Sequence, residues 1–153
     1  MSDHSDQMQE YQDWLRFAQA DYDSAKYLYD SPLHPKPLEI ICYHCQQAAE
    51  KAVKALIVYF GSRGGMPKVH DISFLLGQIQ HIVKDEKQEE ISDDLMDRAE
   101  SLSKYGVAPR YPNEIDVDER VTKIAFEDAT VLLEWVQMVI SKIPACDEAA
   151  SSE

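Results

Sequence analysis

Basic charge is scarce in this sequence: 15 Lys and Arg stand against 28 Asp and Glu, a formal net charge of −13. A protein that wraps nucleic acid through its phosphates needs the opposite balance, so whole-surface electrostatic binding is disfavoured, although a local basic groove is not. Glycine is also scarce, at 5 of 153 residues, which argues against a turn-rich all-β fold. Three cysteines (Cys42, Cys45, Cys146) are too few and odd in number for a disulfide framework, and they point to a reduced, cytoplasmic setting. The first ten residues, MSDHSDQMQE, carry no Lys or Arg and do not read as a signal peptide. The longest uninterrupted apolar stretch in the middle of the chain, Ala55 to Phe60, is far shorter than the ~20 residues of a membrane helix.

What is present is helical periodicity. Apolar residues make up 44% and charged residues 28%, an ordinary globular balance for one domain. Tyr11, Trp14, Leu15, Ala18, Tyr22, Ala25 and Tyr29 recur every three to four residues and predict a helix over 8–29. Ser31-Pro32 and Pro35-Lys36-Pro37 break it. A second helix is expected over 38–60, with Gly61 as a left-handed cap. A third begins near His70 or Asp71, with Asp71 as N-cap; a fourth spans 89–105 and a fifth 119–143. No segment reads as a strand. The expected fold is all-α, an antiparallel up-and-down bundle of four to five helices over 8–143, with 1–7 and 144–153 as flexible tails.

The second helix carries two faces. Ile41, Cys45, Ala48, Ala52, Ala55, Leu56 and Tyr59 form an apolar stripe whose small residues let a neighbour approach closely. His44, Gln47, Lys51 and Lys54, at spacings of 3, 4 and 3, project from another side, and Glu50 precedes Lys54 by four, the favourable order for a helical ion pair. Residues 41–70 hold Lys51, Lys54, Arg63 and Lys68 against Glu50 alone, a basic island in an acidic chain. The His44–Lys54 stripe could accept a phosphate or a carboxylate; the plainer reading is a solvated face. Ile40, Val53, Ile57 and Val58 add apolar surface outside the main stripe, which suggests burial on two sides and hence a homodimer.

Other motifs carry less. Cys42-Tyr-His-Cys45 lacks the second ligand pair of a zinc site and the βαβ setting of a redox motif, so it reads as two small helix residues, and no metal is expected. The loop Gly61-Ser-Arg-Gly-Gly-Met-Pro-Lys68 follows a helix and lacks the phosphate-loop pattern. Arg110 of Arg110-Tyr111-Pro112 can fork onto carboxylate or phosphate; capping a neighbouring helix is the plainer role.

Taken together, these segments resemble the HEPN family, the higher eukaryote and prokaryote nucleotide-binding domains. The run from His44 to Leu56, HCQQAAEKAVKAL, looks like the family's signature helix. Trp14-Leu15…Ala18…Asp21…Ala25 resembles its first helix, Lys68-Val-His-Asp-Ile72 its next helix start, and Arg110-Tyr111-Pro112 its R-Y-P segment. The resemblance covers about residues 10–143. It implies a helical bundle that commonly dimerises, and members encoded beside minimal nucleotidyltransferases in toxin–antitoxin-like pairs. It also implies that some members are metal-independent ribonucleases using an R-x(4–6)-H motif.

This chain departs from that motif. Counted from Arg110, the histidine would fall on Ile115, Asp116 or Val117. Arg63 and His70 fit by count but flank the loop after the second helix. The expectation is therefore a non-catalytic, dimeric binding module without a cofactor. His44, Gln47, Lys51, Lys54, Arg110 and Tyr111 would engage a nucleotide or a minimal nucleotidyltransferase. The alternatives are a ribonuclease toxin acting on RNA through Arg63 and His70 or through Arg110, and a purely structural dimerisation domain.

Overall fold

The computed structural model describes residues 3–61, 68–106 and 116–142. These form five helices: α1 (Asp3–Asp30), α2 (Leu38–Tyr59), α3 (Ile72–Lys87), α4 (Asp93–Ser103) and α5 (Glu119–Ser141), with no strand among the described residues. The all-α bundle expected from the periodicity is what is found.

α2 is the central rod, packed against α1, α5, α3 and α4. Its small residues explain why: Cys45, Ala48, Ala52 and Ala55 are all buried, and Ala18 and Ala25 of α1 are buried as well. Side chains this short bring helix axes together and let backbone and Cβ atoms fill the seam. α1 and α2 run antiparallel, since position 7 meets 58 and 59 while position 21 meets 44 and 51. Val53 and Ile57, which suggest a second burying partner, are buried within the one chain; Ile40 stays exposed. α2 therefore does not need a second copy to cover it.

Two helices, α1 and α4, differ most from the periodic reading. α1 begins at Asp3, five residues before Met8. The extra turn is useful because the Gln7 amide donates to the Val58 and Tyr59 carbonyls at 2.8 and 3.1 Å, capping the end of α2. Tyr11 packs edge-on against Tyr59 with centroids 5.3 Å apart. Gly61 then turns the chain at φ +66°, as expected of a left-handed cap, and a Cβ there would sit 3.1 Å from the Gln7 amide nitrogen.

α4 is shorter than 89–105. Ser92 caps it by accepting from the Leu95 N–H, and the helix ends at Ser103. Ile91 and Tyr105 are buried without being helical. Periodicity reads burial, and here burial outlasts the helix at both ends. α3 is capped by Asp71, which accepts from the N–H groups of Ser73 and Phe74. No helix among the described residues is long and apolar enough to cross a membrane.

Candidate functional site

The polar face of α2 meets two acids that lie in the helical seams. The first is Asp21 of α1. One turn after buried Ala18 and four residues before buried Ala25, it points at α2. Lys51 Nζ donates to its Oδ2 at 2.5 Å, and His44 Nδ1 lies 2.9 Å from its Oδ1. Asp21, His44 and Lys51 are all partly buried and open to solvent on one side.

The second acid is Glu50 of α2 itself, which is buried. Its Oε1 receives the Gln46 amide at 2.9 Å and lies 3.1 Å from His70 Nδ1, while its Oε2 accepts from Lys54 Nζ at 3.1 Å. Gln46 also donates to the His70 carbonyl at 3.3 Å, and the Gln47 amide donates to Gln46 Oε1 at 2.7 Å. The Lys54 ammonium sits 5.7 Å above the Trp14 ring, so a cation–π contact supplements its ion pair. No buried side-chain nitrogen or oxygen among the described residues lacks a hydrogen-bond partner.

Each acid thus holds one lysine and one imidazole. The charges of Lys51 and Lys54 are matched inside the chain, and α2 does not present a bare cationic strip. What it presents is two rings whose Nδ1 faces a carboxylate. When Nδ1 carries the proton, the carboxylate holds it and Nε2 is left as an acceptor; with a proton on both nitrogens the ring becomes a donor to an anion. His70 is 67% exposed in its side chain and His44 27%.

Of the residues selected from the sequence, His44 and Lys51 are brought together, on Asp21. Gln47 joins the Glu50 cluster through Gln46. Lys54 turns inward and is only 7% exposed. The Glu50–Lys54 ion pair anticipated from the i, i+4 spacing is present. Arg110 and Tyr111 lie outside the described residues, as does Arg63. The residues missed as site members are Asp21, Gln46 and Glu50. A signal exists for Asp21: an acid spaced 3 and 4 from two alanines of one face belongs to that face. Glu50 is legible as a partner of Lys54 but not as the acceptor for His70, twenty residues away.

Cys42 and Cys45 are fully buried, and burial pushes both thiols up, so they are held as neutral packing groups. Cys42 Sγ contacts Thr122 Oγ1 at 3.5 Å. No group of three His, Cys, Asp or Glu side chains among the described residues converges as a metal site.

This arrangement sits in a chain with recognisable relatives. The family model for the HEPN domain matches residues 11–139. The crystal structure of TT1696 from Thermus thermophilus superposes with a TM-score of 0.65 at 26% identity, covering 84% of this chain and 97% of that one. ST0689, described as an archaeal HEPN homologue, superposes at 0.61 with 27% identity, covering 86% of this chain and 98% of the other. None of the functionally curated proteins matches significantly in sequence.

Proposed function

This chain belongs to the HEPN domain family, and on that premise we propose that it is a binding module whose α1–α2 seam receives the phosphate of a nucleotide. The observation that carries the reading is the convergence of Lys51 and His44 on Asp21 at the open side of the seam. An arriving phosphate carries more charge than one carboxylate and competes for the same ammonium. The His44 imidazole, held beside Asp21, adds a ring nitrogen at the same opening. Gln47, one turn from both His44 and Lys51, adds an amide. Lys54 holds Glu50 and supports the site from behind. Arg110 and Tyr111 are proposed as further phosphate and base contacts. A minimal nucleotidyltransferase is the partner class, a part of the proposal that rests on the family resemblance, and homodimerisation belongs to it too.

The test is titration calorimetry with nucleoside triphosphates on wild type and Lys51→Ala. Loss of a charged hydrogen bond to the ligand should weaken binding about tenfold or more, since such bonds are worth roughly 1.5–3 kcal/mol. Equal affinity in the two proteins, or no heat in either, contradicts the reading. A structural dimerisation domain would leave every interaction intact in both Lys51→Ala and Arg110→Ala.

One observation favours a second reading, a metal-independent endoribonuclease. The buried Glu50 carboxylate lies 3.1 Å from His70 Nδ1 and holds the ring with Nε2 outward, the arrangement of an oriented general base. RNA cleavage abolished in His70→Ala would support that reading. Cleavage unchanged in His70→Ala, or absent from wild type, would remove it.

A further inference from the structure

We propose that the open hollow beside His44 seats the base of the nucleotide, with Tyr27 as its stacking platform. This inference rests on the nucleotide reading above and adds where the base end of the ligand sits and which side chain it stacks on. The hollow is a shallow depression, open to solvent and mostly apolar, lined by Asp23, Ser24, Tyr27, Leu28 and His44.

Tyr27 is the unusual member. It is 78% exposed. The other tyrosines of α1 are engaged: Tyr11 packs on Tyr59, Tyr22 packs on Phe126 and bonds the Thr130 hydroxyl, and Tyr29 packs on Phe126. Tyr27 makes no ring contact or hydrogen bond with the described residues, so its face is free to stack. Leu28, beside it, adds apolar surface suited to the face of a flat aromatic ring.

Charge sets the orientation. Asp23 repels a phosphate from the hollow, yet its carboxylate accepts from an amino or ring N–H of a base. Its Oδ1 already takes the Gln19 amide at 2.9 Å, which leaves Oδ2 available. At the other end, Lys51 offers the ammonium. His44 belongs to both, lining the hollow while its Nδ1 sits on Asp21. Along α2 the seven residues from His44 to Lys51 rise roughly 10 Å. A strip of that length, apolar at one end and holding the Lys51–Asp21 pair at the other, suits a ligand with an aromatic ring at one end and, at the other, phosphates that compete with Asp21 for the ammonium.

Calorimetric titration of ATP and of inorganic tripolyphosphate separates the two levels of the proposal. On wild type, ATP should bind roughly 5- to 150-fold tighter than tripolyphosphate, the range one stacked base gives. Tyr27→Ala should bring ATP down to the tripolyphosphate level and leave tripolyphosphate unchanged. Tyr27→Phe, which keeps the ring, should retain tight ATP binding. Because Tyr27 is exposed, neither change threatens the fold, and circular dichroism checks this directly. Equal affinities of ATP and tripolyphosphate for wild type would overturn the base site while leaving the phosphate site standing. So would an ATP affinity untouched by Tyr27→Ala. If neither ligand binds wild type, the phosphate reading fails first and the base site falls with it.

Discussion

Lys87 ends α3 almost fully buried, at 2% exposure. Its ammonium donates to the Tyr59 hydroxyl at 2.8 Å and to the Lys142 carbonyl at 2.6 Å, and lies 5.0 Å from the Tyr59 ring. The carbonyl belongs to the residue that closes α5, where the helix dipole favours a cation. One side chain therefore ties the ends of α2, α3 and α5. Lys87→Ala leaves two partly buried acceptors without their donor and opens a cavity. We expect a loss of roughly 2–4 kcal/mol in urea unfolding; an unchanged midpoint would contradict the clamp. Asp71 works at the same scale. Hydrogen bonds from the Ser73 hydroxyl and then from backbone N–H groups hold its carboxyl below the usual aspartate range, burial opposing them. A lowered folded pKa stabilises above the unfolded value and loses that contribution as pH falls through the folded one. Asp71→Ala should thus cost about 0.5–2 kcal/mol at pH 7. The gap between variant and wild type should close only below about pH 4; a gap that persists undiminished in strong acid would contradict it. The two roles are not equally legible in sequence. Asp71 stands before a periodic run and reads as a cap. Lys87 reads as one more charge among the acids of 85–100, because its acceptors come from positions 59 and 142.

At the scale of the element, α1 and α2 show what periodicity can and cannot deliver. The alanine and cysteine stripe of α2 is legible and proves to be a buried seam. Ala48→Leu would force methylenes into that seam, an overpacking cost of typically about 1–3 kcal/mol. The melting temperature should fall, and an unchanged one would mean the seam is looser than described. The polar stripe is legible as a stripe, because spacing alone puts His44, Gln47 and Lys51 on one side. What it faces is not legible. Asp21 comes from another helix, and only the antiparallel pairing of α1 with α2 brings a carboxylate to Lys51 and His44. The full length of α1 escapes the periodicity for a related reason. Gln7 has no apolar period to mark it and earns its place by capping α2.

For the whole molecule, the helical periodicity and the scarcity of glycine point to a helical bundle, and the bundle is found. Oligomeric state is less direct. Excess apolar surface on α2 suggests a dimer, yet four helices of the same chain cover nearly all of it. The proposed homodimer would then use other exposed side chains, such as Phe17, Phe74, Ile124 or Met138. Light scattering at micromolar concentration should return twice the 17.5 kDa chain mass; a mass of one chain would contradict the dimer without touching the nucleotide site. The proposed nucleotide site depends above all on one arrangement, a lysine and an imidazole sharing Asp21 at the open seam. Its most direct test follows the His44 ring protons by NMR during a titration with ATP. Saturable movement of the His44 signals, with those of His81 on α3 unmoved, is the expected result. A His44 resonance that stays fixed while ATP reaches millimolar excess would contradict the account.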